Sequence, residues 1–366
     1  MRILASPDSA EWRGRNNEGR VWSRGTNIVV GNEPLKPIAT QEQIDQGIRL
    51  GHILMPYAER QRKAFFERTP NQTHARLIHY TTAENAVKII NSKRMWMRNT
   101  HVMADYREVQ HGFEIFNKFF ADPTKGKAFA EALDECAPGV ALEAIKMFNE
   151  SWRDIQFNTY ISSISEHQDS EDQHGRLSMW RAFGGGGARV GIVLKIPTIS
   201  QGSLALSLIF SPVAYLMENE AHKVMEEVID NIHDDCDFLR TIDRVVLVRT
   251  VFMMLLAGVV CLKHEGFHEE REWRAIYAPK RWPSALMESS TEVIAGIPQV
   301  VYKIPLDPAV SGHLADLDFA KMFDRLIVGP TPYVWPMYDA FVDALARAGV
   351  ADPGARLFAS GIPLRV

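Results

Sequence analysis

One short run constrains this chain more than any other: Phe267-His268-Glu269-Glu270-Arg271-Glu272-Trp273-Arg274-Ala275-Ile276-Tyr277. From Glu270 the residues alternate, with Glu270, Glu272, Arg274 and Ile276 on one side and Arg271, Trp273, Ala275 and Tyr277 on the other. A period of two is the mark of a β-strand, and Trp, Ile and Tyr suit a pleated, half-buried surface. On such a strand the carboxylates of Glu270 and Glu272 point the same way, about 6.5–7 Å apart along the chain, with Arg274 following. Two parallel carboxylates beside a cation suit acid–base or electrostatic chemistry. They equally suit a solvated strand face, or an edge strand charged against edge-to-edge pairing.

A chain of 366 residues has room for one large domain with additions or for two smaller ones. Its net charge of −4 argues against a protein that coats nucleic acid. Cys136, Cys236 and Cys261 are odd in number and far apart, with neither a zinc spacing nor a disulfide framework, so reduced cytoplasmic thiols are expected. The start, Met1 to Pro7, lacks the apolar core of a signal peptide. The apolar run from Thr250 to Leu262 is too short for a bilayer and reads as a buried helix, so no membrane association is expected.

Residues 1 to about 40, rich in Gly, Asn, Arg and Pro, read as an irregular lead segment. A helix is expected over residues 41–68, opened by Thr40 and closed before Pro70. Arg76 to Thr81 reads as a strand, and Thr82 then caps a helix ending near Lys93 and Arg94. His79 therefore stands at a strand end near a helix N-terminus, where orphan N–H groups favour anions. It can bind a ligand hydroxyl or phosphate, or simply hydrogen-bond the backbone of a turn. Met95 to Met97 follows as a short buried strand, and residues 105–155 look helical throughout. Thr159 to Glu166 reads as a buried strand, and Leu177 to Phe183 as a helical turn. Gly184 to Gly187 precede a strand from Arg189 to Leu194; without a Lys-Ser/Thr or a spaced fingerprint they read as a loop rather than a phosphate cradle. Leu204 to Tyr215 reads as a strand or strand pair broken at Pro212, before helices over 218–233 and 238–263. Strands at 300–304, 325–328 and 356–358, with a helix over 334–348, close the chain. Helices and strands mix without strict βαβ alternation, so the fold class is α+β. His264 and His268 do not make an H-E-x-x-H motif, and no metal is expected.

Several of these pieces, in this order, resemble the bacterial family known as domain of unknown function 2971. They are His79-Tyr80-Thr81 before a helix, the serines from Ser162 to Ser165, Met179-Trp180 with Phe183, Gly191-Ile192, Glu270 to Arg274, and Ile327-Val328-Gly329-Pro330. The likeness covers roughly residues 76–366. The same order is similar to the ADP-ribosyltransferases of His–Tyr–Glu type. That resemblance implies a mixed, split β-sheet core with helical insertions at about 105–155 and 218–263, preceded by an extension over 1–75. It implies NAD as co-substrate, with His79, Tyr80 and Thr81 at the ribose and Ser163 and Ser165 supporting the pocket. Phe183 or Trp180 would stack on nicotinamide, Arg274 would line the site, and Glu272, or else Glu270, would stabilise the cationic transition state. Phe183 stands where relatives carry Tyr and offers no hydroxyl.

The implied activity is NAD-dependent ADP-ribosyl transfer to a macromolecule, protein or nucleic acid. The implied setting is a cytoplasmic toxin or phage-defence effector with an antitoxin or immunity partner. An NAD glycohydrolase would use the same site with water as acceptor. A non-enzymatic sensor or interaction module would keep His79 and the two glutamates as structural groups.

Overall fold

The computed structural model describes residues 37–68, 76–102, 106–182, 187–197, 200–294 and 296–363. The N-terminal pair of helices is α1 (Gln41–Leu54) and α2 (Pro56–Glu67). Thr40 caps α1 in a capping box with Gln43, but the expected single helix breaks at Met55, because Pro56 has no N–H to continue α1 and instead opens α2. Pro70 lies outside the described residues, as does most of the lead segment.

Strand β1 (Arg76–Thr82) runs into α3 (Ala83–Ser92), capped by Thr82, and β2 (Arg94–Asn99) returns. The helical stretch after it is three helices: α4 (Tyr106–Ala121), α5 (Lys125–Cys136) and α6 (Val140–Asn158). Strand β3 (Tyr160–Glu166) leads to the short α7 (Leu177–Ala182) and then to β4 (Arg189–Lys195). Leu204 and Ala205, expected as strand, close the short helix α8 (Gln201–Ala205), which Ser200 caps. Strands β5 (Ile209–Pro212) and β6 (Ala214–Tyr215) then flank Val213. Helix α9 (Glu218–Asp234) is followed not by one helix but by α10 (Cys236–Arg240) and α11 (Arg244–Cys261), because the Asp243 side chain caps a fresh N-terminus. The final elements are β7 (Leu262–Lys263), β8 (Glu272–Tyr277), β9 (Glu288–Ile294), β10 (Ile297–Pro305), α12 (Phe319–Met322), β11 (Phe323–Val328), α13 (Val334–Arg347) and β12 (Leu357–Ala359).

Ten strands form one sheet, mostly antiparallel, in the order β12-β11-β4-β1-β3-β2-β10-β9, with β8 and β5 branching from β3; β11 and β12 pair in parallel. The α+β class follows. Strands β6 and β7 make a separate parallel pair.

One core lies between Ile161 and Ile276 of the sheet and helices α1, α4, α5, α6, α9 and α11; another packs α3 and α13 against β4 and β11. Helix α11 has the length and hydropathy of a membrane span, but most of it is buried inside the protein. The cysteine expectation needs correction: Cys136 at the end of α5 and Cys236 at the start of α10 form a disulfide across 100 positions, and Cys261 is a buried free thiol. Two helix ends packed in one core bring together residues that sequence spacing leaves unrelated.

Candidate functional site

The sheet opens at β3. One edge of β3 pairs with β8 from Tyr160 to Ser165. The other edge is shared: β1 holds its end at Ser165 and Glu166, and β2 its start at Tyr160 and Ile161. Between them β1 and β2 diverge around α3. His79 stands at this gap, and its Nδ1 lies 2.9 Å from the carbonyl oxygen of Ser163. A carbonyl only accepts, so Nδ1 carries the proton and Nε2 is left as an acceptor. Burial lowers the pKa of His79, and the ring is neutral near pH 7.

Directly opposed residues of an antiparallel pair share a face. The registers Ser163↔Arg274 and Ser165↔Glu272 therefore put both serines on the face of Glu272 and Arg274. Ile78 faces Ser165, so alternation places Tyr80, not His79, on that same side of β1. His79 reaches Ser163 through its backbone, whereas Glu272 lies on the side of the Ser163 hydroxyl.

The strand with the two glutamates is shorter than its alternation suggests. Glu265–Glu270 form a 3-10 turn, Arg271 is left-handed at φ 43, and β8 begins only at Glu272. A non-glycine residue in that region is uncommon and costs local strain, which a sequence pattern cannot register. Glu270 is thus off the strand. It returns to the cluster through Lys263, whose Nζ lies 2.8 Å from Glu270 Oε2 and 3.4 Å from Glu272 Oε2.

Glu272 is only 5% exposed, and Arg274 is fully buried. The Arg274 guanidinium grips the carboxylate with both prongs, Nε to Oε1 at 2.8 Å and Nη2 to Oε2 at 3.0 Å, while Nη1 donates to the carbonyl of Val260. Burial alone would raise the pKa of Glu272. Arg274 foremost, then Lys263, overcomes that and holds it at about 2. The Ser163 hydroxyl adds to this field, although its Oγ is buried without a partner in hydrogen-bond geometry. The backbone N–H of Glu272 donates to Tyr215 Oη at 2.8 Å. Lys263 and Tyr215 are themselves paired across β6 and β7, so this two-stranded piece carries two supports of the carboxylate.

Trp180 is 3% exposed. Its ring meets Tyr80 edge-on at 4.8 Å, and its Nε1 donates to His174. Gly175 and Gly329 press against it so closely that a Cβ would stand 2.7 Å and 3.0 Å from the ring. In this arrangement Trp180 is a packed anchor with no free face for a second ring. Tyr80 Oη accepts the N–H of Arg176, and Thr81 sits half-buried beside it on β1. Phe183 and three of the four consecutive glycines lie outside the described residues.

The structure thus brings together Ser163, Ser165, Glu272 and Arg274, joins Glu270 to them, and sets His79 one strand away. Lys263, Tyr215 and Arg176 escaped the sequence reading. Arg176 ties the site's rim, donating to the carbonyls of Glu166, Glu269 and Glu270 and pairing with Glu171. The one signal for Lys263 is its place: a lysine ending a long apolar run must find an anion or reach water. An apolar cavity of about 70 Å³ lies beside the gap, lined by Ser162, Ile164, Met95 and Ala275; it is far too small for a dinucleotide. Among the described residues no group of His, Cys, Asp and Glu is arranged to hold a metal.

No curated protein and no solved structure matches the chain. The family model described as Protein of unknown function (DUF2971) matches residues 179–275, from Met179 in α7 to Ala275 in β8. Over that stretch, which holds Lys263 and the Glu270–Arg274 segment but neither His79 nor Ser163, the chain is similar to that family.

Proposed function

We propose that this protein cleaves NAD at the nicotinamide glycosidic bond and transfers ADP-ribose to a macromolecular acceptor, protein or nucleic acid. One observation carries the reading: the ionised carboxylate of Glu272 shares a sheet face with Ser163 and Ser165 of the adjoining strand, beside the gap where a neutral His79 meets the Ser163 carbonyl from the other face. Leaving-group departure builds positive charge on the ribose, and a preorganised carboxylate stabilises such charge. His79 Nε2 has acceptor capacity for a ribose hydroxyl, and Ser163 Oγ adds its dipole to the field of the carboxylate. To Glu270, a quarter exposed, we assign the orientation of the acceptor.

A second reading has its own support. Glu272 is enclosed and clamped by two cations, as in an ion cluster that serves the fold alone.

The test is to incubate the purified protein with NAD, measuring nicotinamide release and transfer of adenylate label to lysate protein and nucleic acid separately. Glu272→Gln should lower turnover about 10²–10³-fold with little change in NAD affinity. Glu270→Gln should impair transfer more than release. Release without transfer makes the enzyme a glycohydrolase. No release above a protein-free blank, with Glu272→Gln changing only the thermal midpoint, leaves the structural cluster standing and ends the transferase reading.

A further inference from the structure

The sheet has three free ends among the described residues, and they are not protected alike. Strand β12 is three residues long, and β5 is four residues and ends in Pro212; short strands and proline both discourage further pairing. Strand β9 differs. It runs seven residues, Glu288–Ile294, without proline or lysine, and its ladder with β10 is regular along its whole length. Its two charges are already neutralised within the sheet, Glu288 by Arg94 at 2.8 Å and Glu292 by Lys303 at 2.7 Å. The hairpin also exposes Val293 (65%), Ile297 (57%) and Val300 (46%).

We infer that β9 is a dimerisation edge, pairing antiparallel with β9 of a second copy of this chain across a two-fold axis. This is independent of the proposed chemistry. The sequence selects both partner and register. A two-fold axis normal to a sheet keeps each face on its own side, so opposed residues must share parity. Registers centred on Ser290 or Glu292 set glutamate against glutamate, Glu288 against Glu292 in the first and Glu292 against itself in the second. The register centred on Thr291 uses all seven residues and sets none against its like charge. There Glu288 faces Ile294, Ser289 faces Val293, Ser290 faces Glu292, and Thr291 faces Thr291. The exposed Val293 then joins the copy's Ser289 on a continuous sheet surface.

The full-length chain should sediment as a dimer at micromolar concentration. Thr291→Asp sets two carboxylates against each other at the axis and should raise the dimer dissociation constant about tenfold or more, with an unchanged circular dichroism spectrum and thermal midpoint. Thr291→Cys should form a covalent dimer under mild oxidation, because opposed Cα atoms lie about 4.5–5.5 Å apart, within disulfide reach. Ser289→Cys should not, since its own copy lies about 13 Å along the partner strand. Native cysteines do not confuse the assay, as Cys136 and Cys236 are joined and Cys261 is buried. A monomer at about 100 µM overturns the inference, whether or not another protein's strand occupies this edge; so does a dimer indifferent to Thr291→Asp, or cross-linking equally efficient at Ser289.

Discussion

Two buried charge clusters stand on this sheet, built in opposite senses. At β8 an anion is central: Glu272 lies between Arg274 and Lys263, and all three are almost wholly out of water. At the start of β1 a cation is innermost: Arg76, 4% exposed, meets Asp169, Asp172 and Asp324, whose side chains are 73%, 30% and 13% exposed. Arg325 and Lys195 complete this outer ring. Water can replace a partner in the second cluster. The first offers it little room, since Arg274, Lys263 and Glu272 are each 5% exposed or less. The comparison teaches that a buried pair's cost of disruption depends less on its Coulomb energy than on whether its remaining member can be rehydrated.

That difference should be largest on deleting the inner cation. Arg274→Met leaves Glu272 enclosed with Lys263 alone, at 3.4 Å, and should cost about 3–5 kcal/mol in equilibrium urea unfolding. Arg76→Met releases carboxylates that already reach solvent and should cost about 1–3 kcal/mol. Equal losses in the two variants would break the comparison.

Acid should separate the clusters next. The folded pKa of Glu272, about 2, lies below the unfolded carboxylate value, so its contribution is complete above pH ~4.3 and is lost as pH falls toward 2. The shift amounts to about 3 kcal/mol. Asp324 and Glu171 are also depressed, and act in the same sense. His79 and His167 act at higher pH. Burial lowers both pKa values, so the unfolded chain binds more protons and stability starts to fall once pH drops through ~6.5. Unfolding free energies between pH 7 and 2 should therefore decline in two steps. Glu272→Gln should shrink the lower step to what Asp324 and Glu171 contribute and leave the upper one; a lower step unchanged in that variant would mean Glu272 is not a titrating group there.

How much of this was legible beforehand follows from the range of each interaction. The alternation through Trp273, Ala275 and Tyr277 found β8, and the caps at Thr40 and Thr82 found two helix starts, because each signal lies within a few residues. Left-handed Arg271 has no such signal, so the alternation extends the strand to Glu270, which does not join it. Strand β9 was missed because Glu-Ser-Ser-Thr-Glu offers no apolar alternation when neither face is fully covered. Glu272 and Arg274 are two residues apart and could be paired on paper, whereas Lys263 meets them only after the turn at 265–270 folds back. The expected strand-end position of His79 needs correction: β1 runs on to Thr82, so His79 stands at mid-strand. Its ring does meet backbone, but at the carbonyl of Ser163 in β3 rather than in a turn.

The smallest effect probes a support of Glu272 that is neither charged nor on β8, and that acts on its backbone. Tyr215 Oη accepts the Glu272 N–H, and burial, opposed by that bond, raises the Tyr215 pKa, so the hydroxyl stays protonated at working pH. Tyr215→Phe keeps the ring and removes the acceptor, leaving a backbone N–H at the first residue of β8 without its partner. The expected loss is about 1 kcal/mol, rising toward about 3 if water cannot reach the freed group. Because Arg274 and Lys263 still hold the carboxylate, the lower acid step should persist and nicotinamide release, if present, should change only a few-fold. A loss as large as that of Arg274→Met would show that β6, and not the guanidinium, fixes the start of β8. The contrast between the clusters would then rest on backbone anchoring rather than on which charge is central.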